Sequence, residues 1–298
     1  MTKVIITGAT GFLGRELIKK VKNIYDCTSL GFNNVTNSSE YKIDLTNRKN
    51  TFNLFDRINP DVVVHTAALT DVDKCQNDPF YAYQLNVKVT KNIVEWAQNK
   101  KNNLRFIYIS TDQVYNNNGP SSEDNEVSPV NIYGMTKLWG EEKALLLNNS
   151  VILRVNFVGL SGGLVDWLIK MNNQEKKITL FEDVIFNPIY IPDLVNIIIR
   201  FIDERYYGVF NVGSSGKSMT KAEYAKKVIN KLHLKMVKVA IGRMKNVKSM
   251  IAPRPTDMSM SVNKIENNLG MQLPNLEESI EQIGIDYVQI QKKYEKRT

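Results

Sequence analysis

A β-branched run, Lys3-Val-Ile-Ile-Thr7, passes directly into Gly8-Ala-Thr-Gly11-Phe-Leu-Gly14, after which Leu13, Leu17 and Val21 recur every four residues. The run reads as a buried strand and the repeat as the apolar stripe of a helix. Three glycines between such elements let the backbone turn tightly and approach a ligand closely. The free amides of the helix N-terminus then face a dinucleotide pyrophosphate. This junction commits the chain to an α/β fold, a Rossmann-type doubly wound parallel sheet. The backbone of Gly8, Thr10, Gly11, Phe12, Leu13 and Gly14 is the expected cofactor cradle.

The rest of the chain continues the alternation. Strands are expected at about Asp26–Leu30, Asp61–His65, Phe106–Ile109, Val151–Val155 and Gly208–Gly213, and helices fall between them. The Asn59-Pro60 pair is a turn, and Thr220-Lys-Ala-Glu223 is a capping box that opens a late helix. A helical pattern from Leu164 to Lys177 leaves the sheet, and Asn187-Pro-Ile-Tyr-Ile-Pro-Asp193 returns to it, with Asp193 expected to cap or buttress the next helix. The expected division is 1–157 plus about 187–213 for the dinucleotide-binding domain, and about 158–186 plus 214–298 for a smaller C-terminal substrate lobe. The charged tail from Gln291 is expected to fray.

Chemistry concentrates between Ser110 and Lys137. Thr111 falls at the C-terminal edge of the Phe106–Ile109 strand, where open α/β sheets bind ligands. After Pro129, a helix from about Asn131 to Leu147 sets Tyr133 and Lys137 at i and i+4 on one face. An ammonium beside a phenol favours the phenolate and lowers its pKa, so the pair could pass a proton near neutral pH. Each piece has a plainer reading, an amphipathic surface pair for Tyr133 and Lys137 and a turn for Ser110-Thr-Asp112.

Composition narrows the field. The chain has 298 residues, 43% of them hydrophobic, enough for a large core with a second lobe. No apolar run has the length of a membrane span, and no signal-like segment precedes Lys3, so a cytoplasmic location is expected. Two histidines and the widely spaced Cys27 and Cys75 supply no metal site, and both thiols are expected to be buried. The net charge of +8 is spread over dispersed lysines, which argues against nucleic acid as a partner.

Taken together, Gly8-x-x-Gly11-x-x-Gly14, Thr111 and Tyr133-x-x-x-Lys137 resemble the extended branch of the short-chain dehydrogenase/reductase superfamily. Asp44-Leu45 and His65-Thr-Ala67-Ala68 match further segments of that branch, and Val72-Asp73-Lys74 and Arg254-Pro with Lys264 and Leu273-Pro are similar to its dTDP-4-dehydrorhamnose reductase group. The resemblance implies a NAD(P)H-dependent oxidoreductase that reduces a nucleotide-linked 4-keto-6-deoxysugar in deoxysugar biosynthesis. Its catalytic residues would be Thr111, Tyr133 and Lys137, with Tyr133 and Lys137 also touching the cofactor. Asp44 and Leu45 would lie beside the adenine, and Ala67 and Ala68 beside the nicotinamide. Asp73, Lys74, Asp112, Asn156 and Arg254 would meet the substrate. Arg154 joins Asn156 as a candidate contact, and Arg243, Lys245 and Lys248 join Arg254 in a basic loop suited to a diphosphate, or simply to solvent.

Cofactor choice leans to NADPH, with NADH open. The residues after the second strand, Gly31-Phe32-Asn33-Asn34, carry no acid for a ribose, and Arg15 either faces a 2′-phosphate or is an exposed arginine. A homodimer is compatible with the family. Two other readings stand beside the reductase. One is a non-catalytic NADP-binding regulatory subunit similar to the β subunit of methionine adenosyltransferase. The other is a nucleotide-sugar epimerase or dehydratase, for which Asp112-Gln113 supplies half of the usual acidic pair.

Overall fold

The computed structural model describes residues 1–32, 41–116, 118–236, 238–247 and 250–295. Seven strands form one parallel sheet: β1 (Lys3–Thr7), β2 (Asp26–Gly31), β3 (Tyr41–Lys42), β4 (Val62–His65), β5 (Arg105–Thr111), β6 (Ser150–Val155) and β7 (Gly208–Val212). Their spatial order is β7-β6-β5-β4-β1-β2-β3, so the winding reverses between β1 and β4, in register from Val4 opposite Val62 to Thr7 opposite His65. Open sheets of this Rossmann type bind ligands outside the strand C-termini at that reversal. There the chain places Thr7, His65 and, two strands along, Thr111.

Each strand feeds both faces, as a two-residue period requires. Val4, Ile6, Val62, Val64, Ile107 and Ile109 pack with helices α1 (Phe12–Val21) and, further along the chain, Ile191–Asp203. Ile5, Val63, Phe106 and Tyr108 pack on the opposite face with Leu54, Phe55, Ile93, Trp96 and Ala97. The latter come from α2 (Arg48–Ile58) and α3 (Val89–Lys100), and α4 (Ile132–Ala144) completes that face. Fully burying a side chain of this kind contributes roughly 1.5–3 kcal/mol, so these two layers dominate the fold's stability.

Local chemistry sets the boundaries. Asn47 caps α2 through Asn50 N–H, and Asn59 ends it in the left-handed region at φ 49°. The helix expected from Asn131 starts one residue later because Asn131 is its cap, accepting Gly134 N–H at 2.8 Å. The Thr220/Glu223 capping box is formed in full. Asp193 does not cap its helix. Tyr190 occupies that position and Asp193 lies in the first turn, where a carboxylate suits the helix dipole. The C-terminal helix runs from Leu276 through Glu295, so the tail expected to fray is helical that far.

Outside the main sheet, short strands pair in three small sets. Ile185–Phe186 is flanked by Met219–Thr220 and Asp257–Met258, Ile178–Phe181 pairs with Val239–Gly242, and Phe157–Val158 pairs with Ile189–Tyr190. The helix α5 (Lys221–Lys231) follows directly on Met219–Thr220. No helix among the described residues is long and apolar enough to cross a membrane.

Candidate active site

The glycine junction opens onto a cavity of about 300 Å³. Of the residues expected to hold a cofactor, Gly8, Thr10, Gly11, Asp44, Leu45, Ala67 and Ala68 line it. Gly8 has φ +69°, and a Cβ there would stand 2.7 Å from Ala67 N, so only glycine lets β1 and the loop after β4 meet this closely. Gly11 precedes α1 without any side-chain cap, which leaves first-turn amides for an anion. These features fit a dinucleotide.

Of the other residues expected in the cofactor cradle, Phe12, Leu13, Gly14 and Arg15 do not line the cavity, nor does the expected substrate residue Lys74. Leu13 is buried in the core, Gly14 lies already inside α1, and Phe12 stacks on Phe157 at 5.5 Å. The Arg15 guanidinium donates to Thr10 O at 2.7 Å, folding back on its own loop. Lys74 points outward, its side chain 73% exposed and 3.8 Å from Asp71. Sequence reasoning did not single out Leu30, Ile43, Thr66, Leu69 or Leu85, which also line the cavity. Leu30 and Thr66 adjoin strand ends, whereas Leu85 comes from the π-helical turn Gln84–Lys88, which no local signal marks as facing the cavity. Gly31 and Phe32 line it too, whereas Asn33 and Asn34 lie outside the described residues.

Thr111, Tyr133 and Lys137 converge beside this cavity and do not line it. Tyr133 packs in a cluster with Leu69, a cavity residue, and the buried Cys75. The α4 helix can press onto β5 because it carries Gly140, where a Cβ would meet Tyr108 Oη at 2.0 Å. Thr111 ends β5 and donates to Asp112 Oδ1 at 2.9 Å. Its hydroxyl also lies against the Tyr133 phenol closely enough to stabilise a phenolate.

Burial governs the protonation of this group. It raises Tyr133 well above the ordinary phenol value, and Thr111 only partly offsets it. The expected lowering by Lys137 is therefore not met: burial raises the phenol, and the group that opposes it is Thr111. Burial likewise pulls Lys137 down to about 7, against the pull of Glu141, and its Nζ rests 4.1 Å from the centre of the Tyr108 ring. Asp112, buried and held by Asn156 and Thr111, is pushed up to about 6. His65 is a packed strand residue between Thr7 (2.7 Å) and Thr90 (3.1 Å), held neutral by burial down to about 3.

A depressed lysine has a sign that can be checked. The folded state loses the Lys137 proton near pH 7, while the unfolded chain keeps it to about 10.4, so between these limits the unfolded state binds more protons. Stability attributable to this group rises with pH across that window. In urea titrations at pH 7 to 10, the wild type should gain on Lys137→Met, by at most about 1.4 kcal/mol per pH unit. Parallel curves would show that Lys137 is fully charged in the folded state.

The remaining expected residues divide. Asn156 donates to Asp112 Oδ2. Asp73 and Arg254 come together but on each other, at 3.0 Å, and Asp73 also accepts Ile251 and Ala252 N–H. Arg154 is engaged by protein partners. It is buried at 5% exposure in an ion pair with the equally buried Glu141 at 2.7 Å and donates to Tyr115 Oη at 2.6 Å. Arg243 pairs with Glu182 away from the site, so the basic loop does not assemble as a cluster, and Lys248 lies outside the described residues. Cys75 is buried as expected, whereas Cys27 is only half-buried.

Asn86 supports this region from below. It accepts Leu69 N–H at 2.7 Å and donates to Thr136 Oγ1 at 3.0 Å, from a π-helical turn at Gln84–Lys88 that interrupts the helix leading into α3. Such single turns often mark functional sites.

Comparison with known proteins follows the same lines. The model of the family described as the RmlD substrate binding domain matches residues 1–288. The spore coat polysaccharide biosynthesis protein SpsK of Bacillus subtilis is 30% identical over 223 residues, 72% of this chain and 75% of its own. A dTDP-4-dehydrorhamnose reductase of Aggregatibacter actinomycetemcomitans is 28% identical over 215 residues, 70% of each chain. The crystal structure of dTDP-4-dehydrorhamnose reductase from Bacillus anthracis in complex with NADP superposes with a TM-score of 0.85 at 29% identity, covering 96% of this chain and 100% of that one.

Proposed function

The chain belongs to the RmlD substrate binding domain family, and from that premise we propose that it reduces the 4-keto group of a nucleotide-linked 6-deoxysugar with NADPH. The observation that carries the reading is the meeting of Thr111, Tyr133 and Lys137 beside a glycine-lined cavity at the sheet's reversal point. Gly8, Thr10, Gly11, Asp44, Leu45, Ala67 and Ala68 would hold the cofactor, which supplies a hydride when bound.

Tyr133 is the proton donor in this mechanism. A phenol raised by burial is fully protonated at neutral pH, which is the state needed to give a proton to a carbonyl oxygen becoming an alkoxide. Thr111 holds that oxygen, turning its hydroxyl from Asp112 to the substrate. Lys137, on the same helix face, offers its ammonium form to steady the phenolate left behind, and a proton from solvent restores Tyr133 after the step. Asp112 and Asn156 fix Thr111 in place and border the sugar, and Arg254 receives the diphosphate.

Purified protein should oxidise NADPH when given one member of a panel of dTDP- and UDP-linked 4-keto-6-deoxysugars, releasing oxidised cofactor in step with product. NADH is expected to work less well. An epimerase would change the sugar without net cofactor oxidation, and a regulatory subunit would bind NADPH and turn over none of the panel. Either result would overturn the reductase.

A further inference from the structure

Tyr108 belongs to none of the motifs, yet Lys137 rests on it. It is wholly buried in β5, three residues before Thr111, and is flanked by the rings of Phe106 and His65, with centroids 6.5 and 5.7 Å away. Its hydroxyl donates to Lys137 O at 3.2 Å, under the stretch of α4 that Gly140 keeps clear of a side chain. Over the face of the same ring lies Lys137 Nζ, 4.1 Å from the centre. One side chain thus holds Lys137 at both ends, backbone and ammonium.

An ammonium buried to 3% exposure needs a partner. No carboxylate among the described residues stands within ion-pair distance of it, and Glu141, one turn along the helix, is engaged by Arg154 of β6 and by Ser110. The other titratable groups of this layer offer no free anion. Tyr133 is a neutral phenol with the buried Cys75 thiol packed against it, His65 of β4 is neutral, and Asp112 is held by Thr111 and Asn156. The turn Gln84–Lys88 and α3 contribute the uncharged Asn86 and Thr90, bonded to Thr136 and His65. What remains is the aromatic face, the negative side of the ring quadrupole.

We propose that Tyr108 is a positioning residue for the reduction: its ring face holds Lys137 in the ammonium form, and its hydroxyl fixes the turn of α4 from which that side chain leaves. The use of the charge rests on the reductase reading, in which the ammonium steadies the phenolate left at Tyr133. The holding of it does not. Burial favours the neutral amine, and the ring and Glu141 favour the ammonium. A weaker ring face therefore leaves burial less opposed, so Lys137 loses its proton at lower pH and turnover fails sooner on the alkaline side.

Two readouts test it. NMR of protein labelled with carbon-13 at lysine Cε, with Lys137→Arg identifying the signal, follows the Lys137 proton without any substrate. The wild type should titrate at about pH 7. Tyr108→Phe keeps the ring face and should titrate within about 0.3 pH unit of it. Phenylalanines of nearly the same shape carrying one, two and three ring fluorines at this position should titrate at stepwise lower pH, falling in all by about one pH unit, tenfold in the proton equilibrium. In turnover with NADPH and the keto-sugar, the alkaline fall in kcat should move with the NMR midpoint through the series, while KM changes by less than about threefold. A midpoint unmoved by fluorination would overturn the role of the ring, as would a Tyr108→Phe midpoint as low as that of the trifluoro variant. A midpoint that moves while the kcat profile stays would show a charge held but not used, and would overturn the positioning role. If no keto-sugar is turned over, the reductase reading falls and the positioning role with it, while the NMR series still decides whether the ring holds the ammonium.

Discussion

Tyr133→Phe should lower kcat by about 10²- to 10⁴-fold, the range over which a positioned proton donor contributes, while NADPH affinity changes by less than about threefold. The hydroxyl removed is buried against Thr111 and Leu69 and does not line the cofactor cavity, so its loss falls on chemistry rather than on cofactor binding. A buried phenol replaced by a ring of the same shape keeps the packing, so the melting temperature should hold. Stopped-flow hydride transfer and NADPH fluorescence titration on the same preparation separate the two effects. A variant that retained wild-type turnover would remove Tyr133 from the mechanism.

The largest effect on stability is expected at Arg154→Met. Arg154 and Glu141 are both buried, and Glu141 Oε1 also accepts from Ser110 Oγ, so the pair ties α4 to β5 and β6 directly behind Lys137. Removing the guanidinium leaves a buried carboxylate with too few partners, a change that costs about 3–5 kcal/mol. Replacing the pair together, as Arg154→Met with Glu141→Leu, should recover most of that loss, because no unpaired charge remains. Urea denaturation of the two single variants and the double gives the comparison. Additive losses in the double variant would show that the ion pair is not the source.

What could be read from the chain beforehand was whatever depends on neighbours in sequence. The glycine junction, the buried β-branched runs of β1, β4 and β5 and the i, i+4 placement of Tyr133 and Lys137 are local features, and each is found where expected. Thr111 was legible because a strand end is marked by where its apolar run stops. The misplacements arise where tertiary contacts decide. The Tyr133 phenol is raised instead of lowered because burial is a property of the packed helix and not of the spacing to Lys137. Arg154 resembled a ligand contact at a strand end, yet its partner Glu141 lies on another element and could not be paired with it in advance. Asp73 and Arg254 sit far apart in sequence, so their ion pair could not be read from the chain.

The reductive step itself is tested most directly by following the hydride. Protein incubated with NADPH carrying deuterium at the transferable C4 position and the keto-sugar it turns over should place deuterium at C4 of the sugar, one per cofactor oxidised, as read by NMR and mass spectrometry of the product. Product without deuterium at C4, or an altered sugar formed with the cofactor still reduced, would contradict the account.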